Sequence, residues 1–207
     1  MQILIESQYL SPWKVYSEFI NADTICIEQC ENYQKQTYRN RCYIAGANGI
    51  LPLIVPVQHG NSKYIKDIKI EYAQRWQQVH LRGIKSCYGK APFFEYHYSK
   101  FEEIYMTKTP FLIDLNQKFM TLCLEILKLK KKITHSKLYE LRVFEKNIQD
   151  IRNKYLPDTH FPALIPKIDG IYYQPHVQSF ASNLSVLDLI FNEGTNAMNI
   201  MYNNEQN

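Results

Sequence analysis

The sequence predicts a mixed α/β fold, and three observations carry that prediction. A strand-like run, a helix with a start signal and a second strand-like run follow one another within the first 28 residues. An Asn-Gly pair then separates two extended runs, and beyond residue 71 apolar residues recur at spacings of three and four. The 207 residues are 45% hydrophobic and 21% charged, ordinary values for a chain with a packed core, so general disorder is excluded. One domain is expected over residues 1–202, strand-rich over 1–71 and mainly helical over 72–202, with a frayed tail at 203–207.

Residues 2–8 read as a short buried strand. Ser11 suits an N-cap and Pro12 the first helical position, so a helix is expected to about Asn21, burying Trp13, Tyr16, Phe19 and Ile20. Asp23 turns the chain into a second strand, Thr24 to Glu28. Strand, helix and strand in so short a span form a Rossmann-like β-α-β unit with parallel strands. Residues 38–45 and 51–57 flank Asn48-Gly49 and predict an antiparallel hairpin; Pro52 and Pro56 imply that its second strand lies at an edge or carries bulges. Tyr64 to Ile70 alternates weakly and is read as a further strand.

The helical part opens with Trp76, Val79, Leu81, Ile84 and Tyr88, ending at Gly89, and restarts at Pro92 to run to Tyr105. Thr109-Pro110 begins the clearest helix, striped by Leu112, Leu115, Phe119, Leu122, Ile126 and Leu129. Lys128, Lys130, Lys131 and Lys132 read as its solvated end, where cations complement the helix dipole. Leu138 to Ile151 is compatible with a helix, and Pro157, Pro162, Pro166 and Pro175 break the next stretch into turns and extended pieces. Asn183 or Ser185 caps a last helix stopped by Gly194.

Composition narrows the function classes. A net charge of +4 is smaller and less segregated than a dedicated duplex-binding domain carries, so nucleic acid is not the expected partner. Five irregularly spaced cysteines, no C-x-x-C pair and no clustered histidines favour free thiols in a reducing cytosol over zinc. Met1 to Glu6 has no leader signature, and the uncharged stretch Cys42 to Ser62 is broken by glycines and prolines, so no membrane span is expected. Aromatics reach 14%, with 16 tyrosines, an excess that suits half-wet clefts as well as cores.

The richest polar cluster runs from Asn32 to Arg41 and holds Tyr33, Lys35, Arg39, Asn40 and Arg41. It directly follows a parallel strand, where open α/β sheets place their ligand crevice. Arginine offers a planar fork to phosphate or carboxylate, and lysine a movable charge. The loop Gln8 to Trp13 is the second candidate, but it has no H-x-G-H, no G-x-G-x-x-G and no Walker loop. His176 stands in a proline-bounded aromatic setting, Tyr172-Tyr173-Gln174-Pro175-His176, that resembles a cleft wall. Cys42 has Arg41 beside it and no visible base, so the thiols are read as structural.

At these residues the chain resembles the WbqC-like protein family. The likeness runs through Gln8-Tyr9-Leu10-Ser11-Pro12-Trp13, Asn32 to Arg41, Leu53 to Val57, Trp76, His80-Leu81 and Tyr88 to Phe94. It ends in the C-terminal Asn183-Leu184-Ser185-Val186-Leu187-Asp188-Leu189-Ile190-Phe191-Asn192-Glu193-Gly194. Tyr9 stands where proline is common in the family. The resemblance implies a bacterial cytoplasmic protein acting on activated sugars, some members lying in O-antigen gene clusters, and it points to Asn183, Asp188, Asn192 and Glu193 as site residues. The leading expectation is acyl or aminoacyl transfer to a nucleotide-linked amino sugar. Lys35, Arg39 and Arg41 would hold the anion beside Tyr33, Gln8 and Asn40 would orient the acceptor, and His176 or Asp188 would move a proton. No cofactor or metal is invoked and no oligomeric state is assigned. The alternatives are a non-catalytic binding module and, less favoured, a single-strand nucleic-acid binder. About half of the tyrosines are expected in one basic cleft.

Overall fold

A computed structural model of the protein describes residues 1–47, 49–58, 60, 63–143, 145–157, 172–175, 180–181 and 183–205. The elements follow in chain order. β1 (Gln2–Glu6), α1 (Trp13–Glu18) and β2 (Thr24–Glu28) form the expected β-α-β unit, and β3 (Arg41–Gly46) with β4 (Gly49–Ile54) forms the hairpin. Then come α2 (Trp76–Tyr88), α3 (Phe94–Met106), α4 (Leu112–Ile126), β5 (Lys132–His135), β6 (Ile148–Asp150), α5 (Val186–Glu193) and α6 (Ala197–Glu205). Mixed α/β architecture is therefore present as the sequence predicts.

Four strands make one parallel sheet in the order β5-β2-β1-β6. Its register sets Leu4 opposite Cys26 and Glu6 opposite Glu28, so the two-residue period divides the strands cleanly. Ile3, Ile5, Ile25 and Ile27 enter the main core together with Trp13, Val15 and Tyr16 of α1 and Leu115, Phe119 and Cys123 of α4. Leu4, Cys26, Glu6 and Glu28 take the other face, where the segment after β5 leaves a cavity of about 210 Å³ lined by Leu4, Cys26, Glu28, Leu138 and Val143 among others.

Several expectations change: Pro12 and not Ser11 is the N-cap of α1, and the described residues from Leu138 to Ile151 hold turns and β6 in place of a helix. The strand foreseen at Tyr64–Ile70 is a single 3₁₀ turn, Ile65–Asp67, with isolated bridges Asn32–Tyr64, Val57–Ile70 and Lys69–Phe111; its weak alternation matches no long partner. The two outer strands of the sheet, β5 and β6, come from the half expected to be mainly helical. They are four and three residues long and carry polar edge sequences, Lys-Ile-Thr-His and Ile-Gln-Asp, which leave no run for a periodicity argument. The lysine cluster is also more than a solvated end, because Lys131 donates from Nζ to the Ile20 and Ala22 carbonyl oxygens, both at 2.7 Å, closing the turn after α1. Asn48 of the hairpin turn lies outside the described residues, although its neighbour Gly49 has the positive φ, 105°, expected of such a turn.

Gly194 ends α5 at φ 53°, ψ −119°, where only glycine is unstrained, and an added Cβ would come within 2.3 Å of the Phe93 ring. Gly194→Ala is expected to lower the unfolding free energy by about 2 kcal/mol or more, read from urea denaturation.

Candidate functional site at the carboxyl ends of the sheet

From β1 the chain builds β2 and β5 to one side, whereas β6 joins the other, so the connections diverge around β1. In open parallel sheets that divergence opens a crevice outside the carboxyl ends. The residues delivered there are Glu6 to Gln8 from β1, Glu28 to Glu31 from β2, Ser136 from β5 and Asp150 to Asn153 from β6. Glu6 and Glu28 are 1% exposed and Glu31 4%, so three carboxylates leave water here.

Such burial needs partners. The Arg39 guanidinium, itself 0% exposed, donates Nε to Glu31 Oε1 at 2.7 Å and Nη2 to Glu31 Oε2 at 2.5 Å, and Nη2 also reaches Asn153 Oδ1 at 3.0 Å. Glu6 accepts from neutral donors, Gln8 Nε2 at 2.7 Å and the Asn153 backbone N–H at 2.9 Å. Glu28 accepts from the Cys30 N–H, Ser136 Oγ and Arg152 Nη1. Arg152 also binds Asp150 at 2.6 Å and the Glu140 carbonyl at 2.8 Å. Four carboxylates thus face two guanidiniums. Burial pushes the Glu31 carboxyl above its ordinary value; the Arg39 fork opposes this, and the charges of Glu6 and Glu28 add to it. Burial also works to raise Asp150, but the hydrogen bonds and charge of Arg152 hold it below its ordinary value.

The loop from β1 to α1 is pinned by a buried polar chain. Leu10 adopts φ 42°, a strained conformation for a residue with a bulky side chain. Before it, Tyr9 meets Tyr105 Oη and His80 Nδ1, the latter at 2.9 Å, and His80 Nε2 lies 3.2 Å from the Ile54 carbonyl. A carbonyl only accepts, so Nε2 carries the His80 proton, Tyr9 donates to Nδ1 and Tyr105 donates to Tyr9. Burial drives the imidazole down to about 4 and raises both phenols.

The expected site residues fall into two groups. Gln8 and Arg39 enter the charged network, and the Gln8 Oε1 has no partner among the described residues. Tyr33 is half-buried; burial raises its phenol, and the charges of Arg41 and then Arg39 oppose that, so all three lie within electrostatic reach. Arg41 opens β3 with its Nε buried and without an acceptor among the described residues, and Lys35 is exposed. Asn40 fastens the hairpin, with Nδ2 3.0 Å from the Val55 carbonyl. The second group sits on and before α5. Asp188, 1% exposed, accepts from Tyr172 Oη at 2.7 Å and Gln174 Nε2 at 3.0 Å; Asn192 donates to the Asp188 carbonyl, and Glu193 accepts from Asn196. Asn183 is half-buried in the turn before α5, and His176 lies outside the described residues. Different elements therefore carry the two groups.

The tyrosines do not collect in one cleft. Tyr9, Tyr16, Tyr88 and Tyr105 fill the main core, and Tyr38 and Tyr43 pack edge to face with Ala45, Ala181 and Leu184. Burying a large ring gains more than leaving it at a wet rim, and six of the sixteen tyrosines are buried in the two cores. Sequence reasoning passed over Glu6, Glu28, Glu31, Arg152 and Asn153. A signal was present: two parallel strands end alike, Ile-Leu-Ile-Glu and Ile-Cys-Ile-Glu. Among the described residues no His, Cys, Asp and Glu group has the geometry of a metal site, and no helix is long and apolar enough to cross a membrane.

A family model described as the WbqC-like protein family matches residues 7–154, which hold nearly all of this network. No curated protein and no solved structure matches the chain.

Arg39→Ala would strand the Glu31 charge in the interior, at an expected cost of about 3–5 kcal/mol in a denaturant titration. His80 gives a pH signature. Its folded value of about 4 lies below the unfolded ~6.5, so stability is full above about pH 6.5 and declines by about 3 kcal/mol as the pH falls to 4. His80→Gln is expected to remove that part of the slope.

Proposed function

The chain belongs to the WbqC-like protein family, and from that premise we propose that it is a cytoplasmic group-transfer enzyme. It moves an acyl or aminoacyl group onto the amine of an activated, anionic amino sugar used in surface-polysaccharide synthesis. One observation carries the assignment of the site. Arg39 is fully engaged by protein acceptors, whereas Gln8 Oε1 at the exit of β1 and Arg41 Nε at the entry of β3, a buried acceptor and a buried donor, have no partner among the described residues, and Arg41 lies within electrostatic reach of Tyr33. A buried polar atom without a partner is costly, and a bound substrate would relieve that cost.

In this reading Arg41 and the exposed Lys35 hold phosphate, Tyr33 lies beside them, and Gln8 orients the acceptor. Glu6 is the proton acceptor, chosen over Asp188 because it stands at the carboxyl end of β1, bonded to Gln8 and to the Asn153 N–H, whereas Asp188 sits on α5. The amine attacks the carbonyl carbon of the donor, its proton passes to Glu6, and the donor's leaving group departs with the electrons of the broken acyl bond. General-base help of this kind contributes about 10²–10⁴ in rate. A binding module is the second reading, favoured by the way the carboxylates already have their donors within the chain.

Incubation with amino-sugar nucleotides and acyl donors, with products read by mass spectrometry, separates the two. Arg41→Ala is expected to weaken sugar-nucleotide binding about tenfold, in line with the loss of one charge-assisted hydrogen bond. Glu6→Gln is expected to keep binding and lower turnover about 100-fold or more. Binding without product from any donor would establish the module instead, and unchanged binding by Arg41→Ala would remove the site.

A further inference from the structure

Beside the charged network lies a cavity of about 320 Å³, at the lower end of the roughly 300–1,000 Å³ of small-molecule sites. Two tyrosines to which the sequence pattern assigns no functional role, Tyr64 and Tyr139, line it with Asn32, Gln34, Lys63 and Cys30, and Glu31 borders it. Both rings remain open to solvent, Tyr64 at 45% and Tyr139 at 49%, unlike the core tyrosines. An exposed ring beside a concave space is the feature that interior packing does not explain.

Both walls are anchored. Asn32 and Tyr64 face each other in an antiparallel bridge, held by the Tyr33 N–H on the Lys63 carbonyl at 2.8 Å and the Ile65 N–H on the Glu31 carbonyl at 3.0 Å. Tyr139 lies under the Arg152 guanidinium, 5.1 Å from ring centroid to carbon, and the same guanidinium binds the carbonyl of the next residue, Glu140. Arg152 is fixed in turn by Glu28 and Asp150. Two aromatic surfaces, two side-chain amides able to donate and accept, and one cation therefore meet at positions set by the charged network.

We propose that this cavity is a nucleobase subsite. A planar heterocycle stacks on Tyr64 or Tyr139, the Asn32 and Gln34 amides meet its polar edge, and Lys63 faces the adjoining phosphate. The inference rests on the anionic-substrate reading of the crevice and assigns the part of that substrate which does not react. A purely apolar ligand suits the site poorly, because Asn32, Gln34 and Lys63 line it beside the two rings and its border is a carboxylate held by Arg39.

The test uses the intact chain and four probes, UDP, ADP, uridine and pyrophosphate, by calorimetry. A nucleotide is expected to bind and pyrophosphate alone to bind much more weakly. Tyr139→Ala and Tyr64→Ala are expected to weaken the nucleotide about tenfold each, and the corresponding Phe variants to retain it within about threefold, since stacking needs the ring and not the hydroxyl. A second readout needs no substitution. Cys30 is the one partly exposed thiol, with Cys26, Cys42, Cys87 and Cys123 buried. Saturating nucleotide is expected to slow Cys30 alkylation by iodoacetamide about tenfold, mapped by mass spectrometry. Pyrophosphate binding as tightly as UDP and ADP, or nucleotide binding that ignores both alanine variants and leaves Cys30 unprotected, overturns the subsite while leaving the anion reading intact. Tyrosine-dependent binding without any transferred group upholds the subsite and removes the enzyme.

Discussion

Arg39 has no access to water, and the arrangement of the sheet's carboxyl end depends on how its charge is met. Its fork takes both oxygens of Glu31, and the same Nη2 takes Asn153, whose φ of 57° turns its backbone N–H onto Glu6. One guanidinium thereby ties the segment after β2 to the exits of β1 and β6. Arg152 repeats the device, joining Glu28 on β2 to Asp150 on β6. Buried ion pairs seldom add net stability over apolar packing of the same volume, because desolvation offsets the attraction. What the pairs supply here is registration, holding the segments that follow β1, β2 and β6 in one arrangement.

That dependence explains which parts of the fold could be read from the chain. The β-α-β unit, the hairpin and the stripe of α4 each rest on local signals, a proline at the helix start, an Asn-Gly pair and a regular spacing, so they were legible. β5 and β6 are not local. Ile148-Gln149-Asp150 becomes a strand because Gln2 to Leu4 offer it a free edge, and residues 132–135 because Thr24 to Ile27 do the same. Three or four residues with polar members carry no period, and the partner that decides their state lies more than 100 residues away.

The site divides along the same line. The polar run Asn32 to Arg41 was visible as a cluster, and the crevice position follows from the strand before it. Which of its cations serve the protein was not visible, since Arg39 and Arg41 differ in sequence only by position. Arg39 lies in the turn before β3, where its fork meets Glu31, whereas Arg41 is half-buried as the first residue of β3. Tyr64 and Tyr139 carried no signal, because what distinguishes them is exposure beside a cavity, and exposure is a tertiary property.

Charge is layered at this end of the molecule in a way the net +4 conceals. Glu6, Glu28 and Glu31 lie inside, close enough that burial and mutual repulsion raise Glu31 in spite of its arginine. Lys35, Lys63 and Arg41 belong to the bordering segments, the first two exposed. A simple anion driven toward the interior carboxylates would meet repulsion, whereas a molecule with a phosphate at one end and an amine at the other matches both layers. On the proposed reading this polarity does the orienting: the phosphate stays at the border, the amine is drawn toward Glu6, and the acceptor nitrogen is the group delivered to the base.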